Sequence, residues 1–203
     1  MSALFAPAVG LMDRLRYPRK FIVLSIPVLL MIGVLFASLL STLNRTISSA
    51  ESELEGLKIV RVVNGMVQLM QQHRGLSSGV LSGNEAMRAT LTEKTGAVAK
   101  AVEAVEASLP AELRSGDDWK TIRADWSRLQ GEGLKLSAPE NLKAHSLMIS
   151  RTLNFLAVVG DFTQLTLDPE IDTYYLMDAV VVKMPAALER LGVLRARGTG
   201  ILA

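Results

Sequence analysis

FIVLSIPVLLMIGVLFASLLSTL, residues 21–43, is a run of 23 residues without a charge, set between Arg19-Lys20 and Arg45. A helix needs about 20 apolar residues to cross the hydrocarbon of a bilayer, so the run reads as a membrane span. No other stretch in the 203 residues is long and apolar enough to cross back. The chain therefore divides into a head over residues 1–20, a transmembrane helix over 21–43 and a body over 44–203.

The head carries Arg14, Arg16, Arg19 and Lys20 against a single acid, Asp13. Basic residues gather on the cytoplasmic side of a span, which puts the N-terminus inside and the body outside. A cleaved signal peptide is the competing reading, but its apolar core runs roughly 7–15 residues before a small-residue cleavage site. The run here is longer, and Phe36-Ala37-Ser38 is a poor site. Pro27 lies within the span, where a kink is tolerated. The sequence pI near 9.0 misleads: outside the head, 18 basic residues face 19 acidic ones. That near-neutral balance gives no reason to expect a nucleic-acid partner.

Cysteine is absent, so disulfides and thiolate chemistry are excluded. The two histidines, His73 and His145, are far apart in sequence, and a histidine-rich metal site is not expected. No nucleophile-and-base constellation and no phosphate-cradling glycine loop is present, so neither an enzyme nor a bound cofactor is expected.

The body is patterned for helices, with no sustained two-residue alternation that would favour strands. The first helix is expected to continue from the membrane to about Leu81, with Ser82-Gly83-Asn84 as a turn. A second helix is predicted over about 85–108, and a third from Asp117-Asp118 through Trp119, Ile122, Trp126 and Leu129. The spacing of the two tryptophans makes them core residues. A fourth opens on Ser137 as N-cap with Glu140 three residues on and runs to about Leu167. A fifth opens on Asp168-Pro169-Glu170, Asp being a favoured cap and Pro a favoured first residue, and runs toward Arg197 with Pro185 as a kink. The fold class is all-α: an antiparallel helical bundle on an N-terminal transmembrane helix.

Two segments carry candidate site residues. Winding 59–81 at roughly 100° per residue gathers Ile59, Val62, Val63, Met66, Val67 and Met70 on one arc, with Asn64, Gln68, Gln71 and Gln72 opposite. His73, Arg74 and Ser77 fall inside the apolar arc. A buried arginine is costly unless paired. Three readings stay open for Arg74: an internal carboxylate, a bound anion that suits its two-pronged guanidinium, or snorkelling out of a partly wet arc. His73 and Ser77 would add hydrogen bonds beside it. Gly75, Gly79 and Gly83 recur every four residues, either to let a second helix approach or because the helix ends there. In the second segment, Asp178 winds onto an aromatic and apolar face near Tyr174 and Tyr175. Asp178 or Asp172 is expected to face Arg74 across the bundle, as its resting partner or as the far wall of a ligand cavity.

Arg16-Tyr-Pro-Arg-Lys20, Gln71-Gln-His-Arg-Gly-Leu-Ser-Ser-Gly-Val-Leu-Ser-Gly83 and Leu167-Asp-Pro-Glu-Ile-Asp-Thr-Tyr-Tyr-Leu-Met-Asp178 together resemble the N-terminal sensory region of bacterial transmembrane receptors. These are chiefly methyl-accepting chemotaxis proteins, with related sensor kinases and diguanylate cyclases. The Arg-Gly-Leu-Ser stretch is also similar, more distantly, to the helical nitrate- and nitrite-sensing domain, in which an arginine of the first long helix is implicated in anion binding. The resemblance implies a single-pass protein of the bacterial inner membrane with a periplasmic body, working as a homodimer, with a small anionic ligand and Arg74 in the anion-binding role. Receptors of this kind continue through a second span to an output module. This chain stops at Gly198-Thr-Gly-Ile-Leu-Ala203, in what reads as mid-bundle, so the bundle is expected to be incomplete at its C-terminus. Two functions compete: a ligand-sensing receptor module, and an anchored bundle that dimerises and recruits partners without a small molecule. Whether Arg74 lines a ligand-sized cavity or is already paired discriminates them.

Overall fold

The computed structural model describes Gly10 and residues 15–167 and 171–202. It is all-α, with no strand among the described residues. Helix α1 (Tyr17–Leu81) is followed by α2 (Arg88–Ser108), α3 (Ala111–Ser115), α4 (Asp117–Glu132), α5 (Ala138–Phe162), α6 (Ile171–Met177) and α7 (Met184–Leu202). The chain divides into two compact units, Met1–Ala50 and Glu51–Ala203.

In the first unit every large apolar side chain from Phe21 to Leu43 except Val23 is exposed. A helix that is apolar on all sides is suited to surroundings that are themselves apolar. This helix is long and apolar enough to cross a membrane. Thr42 and Thr46 return their hydroxyls to the carbonyls of Ser38 and Thr42, at 3.0 and 3.2 Å.

In the second unit α1 changes character. Ile59, Val60, Val63, Met66, Val67, Met70, His73, Arg74, Ser77 and Val80 are buried, at the alternating three- and four-residue spacing that marks one helical face. They pack with Val98, Val102 and Val105 of α2, Trp119, Ile122 and Trp126 of α4, and Met148, Ile149, Phe155 and Leu156 of α5. Trp119 and Phe155 stack with ring centroids 5.7 Å apart. Helix α5 runs antiparallel to both α4 and α1. On α4 and α5, Trp119 meets Phe155, Asp125 meets Arg151 and Asn141 meets Gly133. On α1 and α5, His73 meets His145 and Ser52 meets Thr163. Gly56 makes that last approach possible, because a Cβ there would collide with the Thr163 side chain.

The helix ends follow local chemistry. At Ser137 a reciprocal capping box forms: Ser137 N donates to the Glu140 carboxylate at 3.0 Å, and Glu140 N donates to Ser137 Oγ. Gly83 takes a left-handed φ of 99° in the turn after α1, and a Cβ on Gly79 would meet Met87 Sδ at 2.5 Å, whereas Gly75 faces open space. Gly79 and Gly83 thus serve the helix end and its turn.

Several boundaries differ from the sequence reading. The second helix opens with a 3-10 turn, Glu85–Met87. The short helix α3, with buried Leu113, was not foreseen; Pro110 and Gly116 bracket it. Helix α5 ends at Phe162 rather than Leu167, because Gln164 turns left-handed at φ 63° and a 3-10 turn follows. The cap foreseen at Asp168-Pro169-Glu170 lies outside the described residues. The irregularity assigned to Pro185 appears as a π-helical turn, Asp178–Lys183, just before it. Proline cannot donate to the preceding turn and its ring crowds it, and a widened turn accommodates both.

Candidate functional site

Residues 71–77 of α1 present two polar layers to the bundle, and neighbouring residues feed different ones. Arg74 is 1% exposed. Its Nη1 donates to the carboxylate of Glu189 on α7 and, at 3.1 Å, to Ser146 Oγ on α5, while Nη2 donates to Glu189 Oε2 at 3.2 Å. Gln71 Nε2 donates to the same Oε2 at 2.8 Å. The arrangement is a fork on a carboxylate, the geometry that suits guanidinium best. Gly192, one turn beyond Glu189, leaves the space the fork occupies, since a Cβ there would sit 2.9 Å from Arg74 Nη2. One donor is unmet: Arg74 Nε is buried and finds no acceptor among the described residues. Alongside lies a cavity of about 330 Å³ lined by Gln71, Gln72, Arg74, Lys94, Gly192 and Arg195, among others.

The second layer is neutral. His73 Nδ1 and His145 Nε2 lie 2.8 Å apart, His145 Nδ1 is 2.9 Å from the Asn141 carbonyl, and His73 Nε2 is 3.0 Å from Thr95 Oγ1. A carbonyl only accepts, so His145 carries its proton on Nδ1 and presents a bare Nε2. His73 must then donate from Nδ1, which leaves its Nε2 bare 3.0 Å from Thr95 Oγ1, whose single hydroxyl hydrogen also has the Leu91 carbonyl in reach at 2.9 Å. From His73 onward the protons run one way, through His145 to the Asn141 carbonyl. Trp126 closes the layer edge-on to His73, with ring centroids 5.1 Å apart. Burial lowers His73 to a pKa of about 4, helped by His145. Burial likewise lowers His145 to about 4; its bond to the Asn141 carbonyl opposes this, and the Arg74 charge adds to it. Both rings are therefore neutral at pH 7.

A metal ion between the two rings would need two bonds of about 2.0–2.1 Å each, so opposed nitrogens 2.8 Å apart leave no room for one. No group of three or more potential metal ligands occurs among the described residues.

The structure brings some of the sequence candidates together and separates others. His73, Arg74 and Ser77 are all buried, as their winding implied. Ser77 belongs to the histidine layer: its Oγ is 3.5 Å from His73 Nδ1, and it makes no bond to Arg74. The expected pairing of Arg74 with Asp178 is wrong. Asp178 pairs with Lys183 in its own π turn, and with Tyr174 it borders a separate pocket of about 130 Å³ beside Leu165 and Val181. Tyr175 is 63% exposed and stacks edge-on with Tyr174, at 5.6 Å between centroids. The side chain of Asp172 lies outside the described residues. The acid that meets Arg74 is Glu189, eleven residues after Asp178. In a regular helix eleven residues are roughly three turns and would bring both acids near one face, but the π turn at Asp178–Lys183 breaks that register. Winding gives the angle of a residue about its helix, not its height along the neighbour.

Sequence reasoning also missed His145, Ser146, Thr95 and Gly192. A signal for the first existed: Asn141, His145, Met148 and Thr152 form one buried stripe on α5, so a histidine and an amide sit among apolar positions there. No protein-family model matches this chain, and no curated protein or solved structure matches it either.

Proposed function

We propose that the chain is the membrane-anchored, ligand-sensing module of a chemotaxis-type bacterial receptor. Residues 21–43 would cross the inner membrane, with the basic head in the cytoplasm and residues 44–203 in the periplasm, and two copies would pair. The observation that carries the reading is the Arg74 layer. A fully buried guanidinium borders an open cavity, keeps one donor unmet, and is held in place by a single acid whose side chain is 12% exposed. An anion entering the cavity would compete with Glu189 for Arg74. A ligand shifts a conformational equilibrium only through different affinity for its two states. Here the states are Glu189 bound to Arg74 and Glu189 released, so ligand would loosen α7 from α1.

A second reading has its own support. Arg74 already has an internal carboxylate, and Met184, Leu188, Leu191 and Leu194 of α7 stand 56–64% exposed. An anchored bundle that pairs with another protein through α7 would need no small molecule. The full chain in lipid nanodiscs, melted while Trp119 and Trp126 fluorescence is followed, separates the two. With nitrate, acetate or a dicarboxylate, the sensor reading expects the melting temperature to rise with concentration, and the rise to vanish in Arg74→Ala. A cooperative transition indifferent to every anion would favour the interaction module.

A further inference from the structure

The cavity at Arg74 does not end at the guanidinium. It shares Gln71, Gln72, Gly192 and Arg195 with a larger groove of about 730 Å³ that runs on between α1 and α7. The lining changes along its length. At one end stand Val67, Val180, Met184, Pro185, Leu188 and Leu191; along the α1 wall come Asn64, Gln68, Gln71 and Gln72; at the other end are Arg74, Lys94 and Arg195. The acid at the basic end is Glu189, whose carboxylate Arg74 and Gln71 already hold and which a ligand would have to displace, and Lys94 makes no ion pair among the described residues. The apolar end is open, with Met184 56% and Leu188 59% exposed.

We propose that the groove takes an amphiphilic monocarboxylate, its head among Arg74 and Lys94 and its acyl body along Val67, Val180, Met184 and Leu188. The inference rests on reading the Arg74 layer as an anion site, and names the ligand class for it. The chemistry at each end selects the match. A carboxylate suits the guanidinium fork and supplies an acceptor for the unmet Nε. An acyl chain removes from water the apolar surface of α7 that an inorganic anion would leave wet. The size is also suited: pockets for compact organic ligands span about 300–1,000 Å³, whereas nitrate would fill little of this one.

Chain length provides the test. Each methylene buried contributes about 0.8 kcal/mol, close to fourfold in affinity. The full chain in nanodiscs would be titrated calorimetrically with nitrate, acetate, butanoate, hexanoate and hexan-1-ol, with empty nanodiscs subtracted. The proposal expects affinity to climb about three- to fourfold per methylene from acetate to hexanoate, and hexan-1-ol to bind at least tenfold more weakly than hexanoate. Leu188→Gln, on an exposed position that tolerates a polar residue, should flatten the series while nitrate and acetate bind as before. Lys94→Met should weaken every carboxylate and leave hexan-1-ol unchanged. If nitrate and acetate bind as tightly as hexanoate, the acyl groove is wrong and the anion site stands. Equal binding of hexan-1-ol and hexanoate would remove the head-group assignment. If nothing binds, nitrate included, to a protein that still melts cooperatively, both this inference and the anion reading fall.

Discussion

His73 and Arg74 are consecutive, both buried, and solve the same physical problem in opposite ways. His73 looks toward α5 and joins a neutral chain in which it donates to His145 and His145 donates to the Asn141 carbonyl, with Thr95 beside its other ring nitrogen. No charge is buried, and Trp126 covers the layer. Arg74 looks toward α7, keeps its charge, and is held by Glu189 with one donor unmet beside open space. A neutral network has no charge to hand to a ligand and favours one structure. A charged pair at the edge of a cavity can exchange one partner for another, so on the function proposed above the Arg74 layer is where a ligand would act, while the histidine layer ties α1 to α5.

The largest effect should come from breaking the charged layer. Removing one member of a buried ion pair leaves a bare charge and costs about 3–5 kcal/mol. Glu189→Ala should therefore lower unfolding free energy by about 3 kcal/mol or more in urea titrations. The double variant Arg74→Met with Glu189→Ala should recover most of that, because it buries no charge. A Glu189→Ala loss below about 1 kcal/mol, or a double variant worse than the single, would show that the pair is wetter than its 1% and 12% exposures indicate.

The neutral layer should respond to acid instead. Both histidines titrate near 4 in the folded protein and near the ordinary 6.5 when unfolded. Between those values the unfolded chain binds more protons, so stability is complete above about pH 6.5 and falls as pH drops toward about 4. Two rings shifted this far make the loss a few kcal/mol, measurable as a steeper pH dependence of the urea midpoint. Replacing both with leucine should flatten that window. A slope unchanged in the double variant would assign the acid sensitivity to carboxylates.

The smallest expected effect probes the space that the charged layer requires. Alanine is favoured over glycine in a helix by about 1 kcal/mol, but a Cβ at Gly192 would lie 2.9 Å from Arg74 Nη2. Gly192→Ala should cost about 1 kcal/mol in the native background and become neutral or stabilising beside Arg74→Met. A gain in both backgrounds would mean that the guanidinium moves aside freely.

How much of this was legible in the chain depends on the range of the interaction. The capping box at Ser137 and Glu140 and the core positions of Trp119 and Trp126 involve residues within a few turns of each other, and the structure bears them out; the uncharged run at 21–43 lies in a helix long and apolar enough to cross a membrane. The burial of His73, Arg74 and Ser77 was legible for the same reason, since each stood on the wrong arc of its own helix. Their partners were not. Winding pointed to Asp178 and Asp172 and overlooked Glu189, because it gives only an angle about one helix; the π turn at Asp178–Lys183 and the level at which α7 meets α1 decided the partner. His73 and His145 looked unrelated at 72 residues apart, and antiparallel packing of α1 on α5 made them neighbours.

The sequence by itself determined an all-helical chain, a stretch able to cross a bilayer, and an arginine placed on an apolar arc, because the 3.6-residue repeat and the chemistry of caps and charges act along a single helix. Only the tertiary structure decided that Glu189 answers Arg74, that two distant histidines share a proton between them, and that a groove opens between α1 and α7. Those outcomes depend on the height at which one helix meets another, and that height is fixed by the packing of whole faces rather than by any residue's place in its own turn.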